Sequence, residues 1–307
     1  MANWNGITRE INMIIEKMRS EARLNSSMES RQNIHVLFQT PLRLSSLDFE
    51  KDKSNGVYSV KMTSEDWNDI MSMDMSGGVL TIKVYEDTRI ISNRREARRE
   101  SKRIANDLVT FVLRFRSVFV EHFLISMDFP DYEVRSYGRI KCGMMYARVD
   151  RIGKWLNRVD ARYVYFDDEA CVIDDRYSME MVMKCNRVDM EVKNGITNEL
   201  LMSFEGSCLE LGPSQVTASG INRFMKRMFR RRFTKQFTEE GKEEEVDYSF
   251  AVEDRQVMDI LEGMKCRNIE VDGEEGCIPQ IAPHWTITKS RDSRRISFKL
   301  DNEETHW

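Results

Sequence analysis

The sequence predicts an α/β protein built as an irregular, leucine-rich-repeat-like curved solenoid of strand–helix units, preceded by a small N-terminal helical module. After residue 93, short alternating or β-branched runs alternate with amphipathic segments of helical period. The strand cores recur at intervals on the order of 20 to 40 residues, the range of stacked units too small to bury their own apolar faces. A doubly wound α/β sheet would normally carry a glycine-rich first turn, and the sequence has none.

The first element is the helical module, predicted at residues 1–38, and the repeat domain is predicted at 39–307. The apolar positions that recur at helical spacing are Ile7, Ile11, Ile14, Ile15 and Met18. From residue 40 the pattern changes to short runs broken by glycine, asparagine and serine, at 42–49, 56–62 and 78–87. Such runs predict strands.

A long helix is predicted next, at 92–115, followed by alternating strands and shorter helices. The apolar face of the long helix consists of Ile104, Leu108, Phe111, Val112 and Phe115. Further helices are predicted at 147–159, 197–204, 220–233 and 253–264. Strands are predicted at 120–127, 161–168, 187–192, 208–211, 247–252 and 267–271. We expect the strand segments 123–127, 163–166, 188–192, 208–211 and 268–271 to lie side by side in one curved sheet.

The strand at 163–166 carries the candidate partner-binding residues. Side chains alternate along a strand, so either Tyr163 and Tyr165 or Val164 and Phe166 face the open side of the sheet. We expect the tyrosines there, because tyrosine buries area and still forms hydrogen bonds at recognition surfaces. The alternative is that both tyrosines are rim residues without a binding role.

Two basic stretches need separate interpretation. Residues 217–233 contain Lys226 and five arginines around a stripe of phenylalanine, isoleucine and methionine, and residues 94–103 alternate arginine with glutamate. The spacing indicates helices with one buried stripe and a solvated basic back. Contact with an acidic protein or RNA is the alternative interpretation of both stretches.

Composition bounds the function. The chain of 307 residues has a net charge of −4, which argues against a general nucleic-acid coat. No run approaches the roughly 18 apolar residues of a membrane-spanning helix, and no signal sequence opens the chain. We expect a cytoplasmic or nuclear protein whose partners include neither membrane nor nucleic acid.

No catalytic motif is present. The six cysteines never occur as C-x-x-C, and the four histidines stand far from them, so we expect reduced, mostly buried thiols. The nucleophile-elbow, phosphate-loop, zinc-protease and kinase patterns are absent. The sequence therefore predicts no catalytic residue, no metal and no cofactor.

Residues 195–228 resemble the type 2 F-box-associated domain, a family expanded in nematodes. In that family a helix with paired leucines, here Leu200–Leu201, leads into a short strand, here 208–212. A further helix follows with a motif matched by Thr217, Ile221, Asn222, Phe224, Met225 and Lys226. Residues 57–70 and 78–87 look like the family's early strands, and 284–300 looks like its closing hairpin, with Asp292–Ser293 replacing the usual Asp-Gly turn.

Proteins of this family usually begin with an F-box, which binds the adaptor Skp1 and so recruits a cullin ubiquitin ligase. Residues 7–31 follow the F-box rhythm loosely, although Ile7–Thr8 replaces the usual Leu-Pro opening. The Skp1-binding residues implied by the resemblance are Ile7, Ile11, Ile14, Ile15 and Leu24. The resemblance implies a non-catalytic substrate-recognition subunit of an SCF ubiquitin ligase, which binds an unidentified target protein. The alternative is a partner-binding or neutralising protein whose degenerate F-box has lost ligase coupling.

Overall fold

The computed structural model describes twelve stretches of the chain. They are residues 41–52, 54–64, 69–84, 87–130, 139–149, 151–166, 175–230, 245–264, 266–271, 274–276, 282–290 and 294–300. The helical module predicted at 1–38, with all of its proposed Skp1-binding residues, lies outside them and stays a prediction. The chain forms two compact units, Met1–Arg162 and Tyr163–Trp307. Helices and strands alternate along the chain, which confirms the α/β class.

The first unit contains a mixed sheet with the strand order β5-β4-β3-β2-β1-β6-β7. Its strands are β1 (Leu42–Lys51), β2 (Tyr58–Thr63), β3 (Asp69–Ser76), β4 (Val79–Val84), β5 (Asp87–Ile91), β6 (Ser117–Ile125) and β7 (Arg139–Ala147). Strands β1 to β5 pair antiparallel, whereas β6 pairs parallel with both β1 and β7. The predicted strands at 42–49, 56–62 and 78–87 are confirmed. Strands β3, β5 and β7 were not predicted. β3 and β7 contain several methionines and few of the β-branched and aromatic residues that are enriched in strands.

One long helix, α1 (Arg94–Val112), belongs to this unit. The Asn93 side chain accepts hydrogen bonds from the backbone N–H groups of Arg95 and Glu96, both at 3.1 Å, and so caps the helix. The predicted apolar face is buried, which confirms its orientation. It comprises Ile104, Leu108, Phe111, Val112 and Phe115.

The helix predicted at 147–159 is wrong in length. Among the described residues of this segment, only α2 (Gly153–Leu156) is helical, because Ala147 ends β7 and Val159 begins the next strand. The apolar residues whose spacing suggested a helix are nevertheless buried. Trp155 is fully buried, and its indole Nε1–H donates to the Met127 carbonyl at 2.9 Å. Its ring packs against Phe49, Phe123 and Phe129.

The second unit contains a sheet with the strand order β8-β9-β10-β11-β15-β14-β12-β13. Its strands are β8 (Val159–Phe166, of which the part from Tyr163 belongs to this unit), β9 (Arg187–Met190), β10 (Cys208–Leu211), β11 (Asp247–Ala251), β12 (Cys266–Val271), β13 (Glu274–Gly276), β14 (Ala282–Ser290) and β15 (Arg295–Leu300). Strands β8 to β11 are parallel neighbours. The expectation that 268–271 lies beside 208–211 is wrong, because β11, β15 and β14 stand between β10 and β12. The C-terminal hairpin β14–β15 lies between β11 and β12 in the sheet.

Short helices connect the parallel strands of the second unit. They are α3 (Arg176–Val182), α4 (Asn198–Ser203), α5 (Ala218–Arg230) and α6 (Val257–Leu261), the last preceded by a 3₁₀ turn at Asp254–Gln256. Parallel strands require such crossovers. The helices predicted at 197–204, 220–233 and 253–264 correspond to α4, α5 and α6, whereas α3 was not predicted. In the described part of the chain, no helix is long and apolar enough to span a membrane.

The core of the second unit lies on one face of its sheet. Two rows of hydrogen-bonded neighbours cross β8, β9, β10, β11 and β15 on this face. The first row is Val164, Val188, Leu209, Tyr248 and Phe298, and the second is Phe166, Met190, Leu211, Phe250 and Ile296. All ten side chains are buried. Because side chains alternate along strands, the residues between these rows lie on the opposite face.

Candidate functional site

The opposite face of the second unit's sheet is polar and half-buried, and we call it the polar sheet face. Its members come from β8, β9, β10, β11 and β15 and form two rows in register. The rows are Tyr163, Arg187, Cys208, Asp247 and Lys299, and then Tyr165, Asp189, Glu210, Ser249 and Ser297. Arg295, two positions before Ser297 on β15, belongs to the same face.

The two tyrosines predicted to bind a partner lie on this face. Tyr163 and Tyr165 are half-buried, whereas Val164 and Phe166 between and after them are 0% exposed. The tyrosines are therefore on the accessible side of β8, as the alternation argument expects. Their role in partner binding stays a prediction.

Tyr163 is held in place by two residues of β9. Its hydroxyl donates to Asp189 Oδ2 at 3.2 Å, and the Arg187 guanidinium lies 5.4 Å from the centre of its ring. Burial, followed by the charge and hydrogen bond of Asp189, raises the pKa of Tyr163 far above its usual range. The side chain is a neutral, oriented hydroxyl at neutral pH.

Arg295 links three strands on the polar sheet face. Its side chain is only 13% exposed and contacts Glu210 Oε1 at 2.9 Å and Glu191 Oε1 at 3.4 Å. Its Nε–H donates to Ser249 Oγ at 3.1 Å. Burial, followed by the charge of Asp189, raises the pKa of Glu210 to about 7, although Arg295 acts in the opposite direction. The face therefore holds a carboxyl group that titrates near neutrality beside a fixed guanidinium.

The carboxylates of Asp189, Glu191 and Glu210 are close enough to suggest a metal site. Their oxygens lie within 4.8 Å of one another, the one such group of metal-ligating side chains in the described part of the chain. However, Arg295 already contacts two of the three carboxylates, so a guanidinium provides the positive charge that a cation would bring. The arrangement is an ion-pair network between strands.

The cysteines of the described residues fit the expected reduced state, whereas the expected burial holds for Cys142 but not for Cys185 and Cys208, which are half-buried. Cys142, Cys185 and Cys208 are thiols rather than members of a disulfide, and Cys142 is buried. Burial raises the pKa of Cys208 to about 11 despite the opposing effect of Arg187. Since the thiolate is the nucleophilic form, Cys208 is a poor nucleophile at neutral pH.

The basic side of helix α5 is less solvated than predicted. Its apolar stripe is buried as expected at Ile221, Phe224, Met225 and Met228. Two of its cations bind carbonyl oxygens at the C-terminal ends of neighbouring helices. Lys226 Nζ donates to the Glu262 carbonyl at 2.7 Å, and Arg227 donates to the carbonyls of Met202 and Phe204. Only Arg223 and Arg230 are exposed among its described cations.

A groove of about 540 Å³ lies on the helical side of the second unit, between α3 and α4. Met179 and Leu200 form part of its wall. Arg176 and Glu180 form an ion pair with a 2.9 Å contact, and both residues line the groove. Because Lys184 and Glu199 also face it, its charges are balanced and select no ligand class.

Sequence reasoning missed the residues that surround the tyrosines: Arg187, Asp189, Glu210 and Arg295. The sequence signal for them is the alternation of polar residues within short strands. Alternation shows which residues of a strand share a face of the sheet, but not which residues of other strands lie beside them. Arg295 is 104 positions from Glu191 in sequence, so only the fold brings their side chains together.

Comparison with protein-family models, curated proteins and solved structures gives no match to this chain. The motif at 195–228 nevertheless has a structural account. Leu201 and Phe224 are buried, and Thr217 Oγ1 accepts from the Gly220 N–H at 3.1 Å at the start of α5. The Asn222 amide donates to the carbonyls of Ile260 and Glu262. Burial, capping and carbonyl contacts between neighbouring helices therefore account for these motif positions without assigning a function.

Proposed function

We propose that the chain is a non-catalytic receptor that captures a partner protein on the polar sheet face. The observation that carries this proposal is the pair of half-buried tyrosines, Tyr163 and Tyr165, on the face opposite a closed core. Tyr163 is pre-oriented by Asp189 and Arg187, which reduces the ordering cost of binding. Tyrosine and arginine are enriched among the residues that dominate binding energy at interfaces.

We further propose that the strand–helix units form a curved, leucine-rich-repeat-like array. The support is the succession β8–α3–β9–α4–β10–α5–β11, in which short parallel strands alternate with helical crossovers. Stacked units of this kind give the extended concave surfaces that bind proteins. The polar sheet face would be part of that surface.

The receptor would act as the substrate-recognition subunit of an SCF ubiquitin ligase. Residues 1–38 would dock on Skp1 through the five apolar side chains named above, and other subunits would transfer ubiquitin. Ile14→Asp with Ile15→Asp should abolish co-purification with Skp1, because burying a carboxylate in an apolar interface is costly. Circular dichroism should show the rest of the chain folded. Retained Skp1 binding would refute the F-box assignment and leave partner capture standing.

The alternative is a protein that binds or neutralises its partner without ligase coupling. Affinity purification with mass spectrometry, performed with and without residues 1–38, separates the two. Skp1 and cullin in the full-length sample alone favour the ligase subunit. A target protein in both samples, with Skp1 in neither, favours the neutralising protein.

Partner capture is tested by Tyr163→Ala with Tyr165→Ala in a pull-down of the identified target, beside a thermal melt. Tyr163→Phe is the matched control, because it keeps the ring beside Arg187 and removes only the hydroxyl bonded to Asp189. Lost binding by the double variant with an unchanged melting temperature supports the receptor surface. Unchanged binding of the target by the double variant would show that the partner site lies elsewhere, in the loops at one edge of the sheet.

A further inference from the structure

The N-terminal half of α1 is strongly cationic. Six basic residues fall within ten positions and form the cationic face of α1. They are Arg94, Arg95, Arg98, Arg99, Lys102 and Arg103. The same ten positions hold only two acidic residues, Glu96 and Glu100, which leaves a local charge of +4 in a chain whose net charge is −4.

The six cations of this face differ in their polar contacts. Glu100 is buried and binds Arg103, and it also lies 3.6 Å from Arg99. The side chains of Arg94, Arg95, Arg98 and Lys102 are exposed. Within the stretches that the structure describes, none of these four side chains makes an ion pair or a hydrogen bond.

The position of the cations on the helix is electrostatically unfavourable. The N-terminus of a helix carries a partial positive charge, so acidic residues are favoured in the first turn and basic ones in the last. In α1, Glu96 is the one acidic residue of the first turn, and the last turn has no basic residue. Folding alone therefore does not account for Arg94 and Arg95, whereas an anionic ligand would.

The spacing of the cations indicates the form of that ligand. Arg94, Arg98 and Lys102 recur every fourth residue, as do Arg95, Arg99 and Arg103, and four helical residues rise about 6 Å. Alternate side chains of an extended peptide are about 6.8 Å apart. We propose that the cationic face of α1 binds an extended, carboxylate-rich segment of a partner protein. Arginine suits this task because its guanidinium can bind a carboxylate with two parallel hydrogen bonds.

A nucleic acid fits this face less well. Residues 94–103 contain no aromatic side chain on which the bases of a single strand could stack. A duplex presents one charge per roughly 1.7 Å of its axis, a denser array than the two rows of α1 provide. The surface lies in the first unit and does not depend on the function proposed for the polar sheet face.

The test measures binding of a fluorescein-labelled peptide of alternating glutamate and serine to the full chain, by fluorescence anisotropy at low salt. The test variant combines Arg95→Gln, Arg98→Gln and Lys102→Gln. The control variant combines Lys193→Gln, Arg223→Gln and Arg230→Gln, which removes the same charge from exposed positions of the second unit. The test variant should bind about tenfold more weakly, because three exposed ion pairs together contribute about that factor. The control should change affinity less than about twofold, because its three cations do not belong to the cationic face of α1.

A thermal melt distinguishes lost contacts from lost folding. The test variant should melt at the same temperature as the parent chain or higher, because it removes repulsion near the helix N-terminus. Equal weakening by both variants, or no binding of the peptide to the parent chain, would overturn the proposal. So would tighter binding of a single-stranded RNA of the same charge, which would make the face a phosphate-binding surface.

Discussion

The two basic helices, α1 and α5, look alike in sequence but use their cations differently. In α5, Lys226 and Arg227 donate to carbonyl oxygens at the C-terminal ends of α6 and α4. These carbonyls lack partners within their own helices and carry the negative end of the helix dipole. In α1, four exposed cations have no such contact within the described residues. A charge pattern therefore predicts a helix surface but not whether its cations are structural.

The contacts of α5 make it the element that joins neighbouring helices in the second unit. The buried Asn222 amide donates to the Ile260 carbonyl at 2.6 Å and to the Glu262 carbonyl at 2.9 Å. At the other end, Asn198 Oδ1 of α4 accepts from the Thr217 N–H at 2.9 Å. A Cβ on Gly220 would lie 1.9 Å from the same oxygen, so a larger residue there would displace the Asn198 side chain from its contact with Thr217. α5 is fixed on both sides, and its polar residues contribute to that fixation.

The largest expected effect comes from the buried side of α5. Phe224 is 0% exposed and packs edge-on against Tyr248 and Phe250, at centroid distances of 5.3 and 6.1 Å. Phe224→Ala should lower the free energy of unfolding by about 3 to 5 kcal/mol, measured by urea denaturation. The exposed Arg230→Ser is the control and should cost under about 0.5 kcal/mol. The reverse ranking would show that the stripe is not part of the core.

The next effect tests whether the cations of α5 are structural. Arg227→Ala removes a charged donor from two carbonyls and should cost about 1.5 to 3 kcal/mol in the same measurement. Arg223, on the exposed side of the same helix, is the matched control, and Arg223→Ala should change stability by less than about 0.5 kcal/mol. Equal costs for the two variants would mean that water replaces the Arg227 contacts, and the contrast with α1 would disappear.

Local periodicity correctly predicted the helices and strands that bury one face and expose the other. The apolar stripes of α1 and α5 and the alternation around Val164 and Phe166 are of this kind, and all three are observed. Residues 147–159 show where prediction from periodicity fails. Their apolar spacing is compatible with one helix, but the segment contains the end of a strand, a single helical turn and the start of a new strand. A spacing of buried residues does not determine the backbone that presents them.

Strand order and the surroundings of the site depended on contacts that sequence patterns do not contain. The hairpin β14–β15 separates β12 from β11 because β15 pairs with β11, and no local signal specifies that pairing. The alternation in β8 placed Tyr163 on the accessible face. It did not predict Arg187 and Asp189 beside it, because the register between β8 and β9 brings them there.

The smallest expected effect has the opposite sign and isolates the charge of α1. Arg95 lies in the first turn, whereas Lys102 lies two turns further along the same helix, and both are exposed. Because the dipole acts within the first turn, Arg95→Gln should raise the free energy of unfolding by about 0.3 to 1 kcal/mol at low salt, and Lys102→Gln should leave it nearly unchanged. The gain should shrink at high ionic strength, since exposed charges are screened. A loss of stability in Arg95→Gln would reveal a stabilising contact of this guanidinium, and the cations of α1 would then be structural like those of α5.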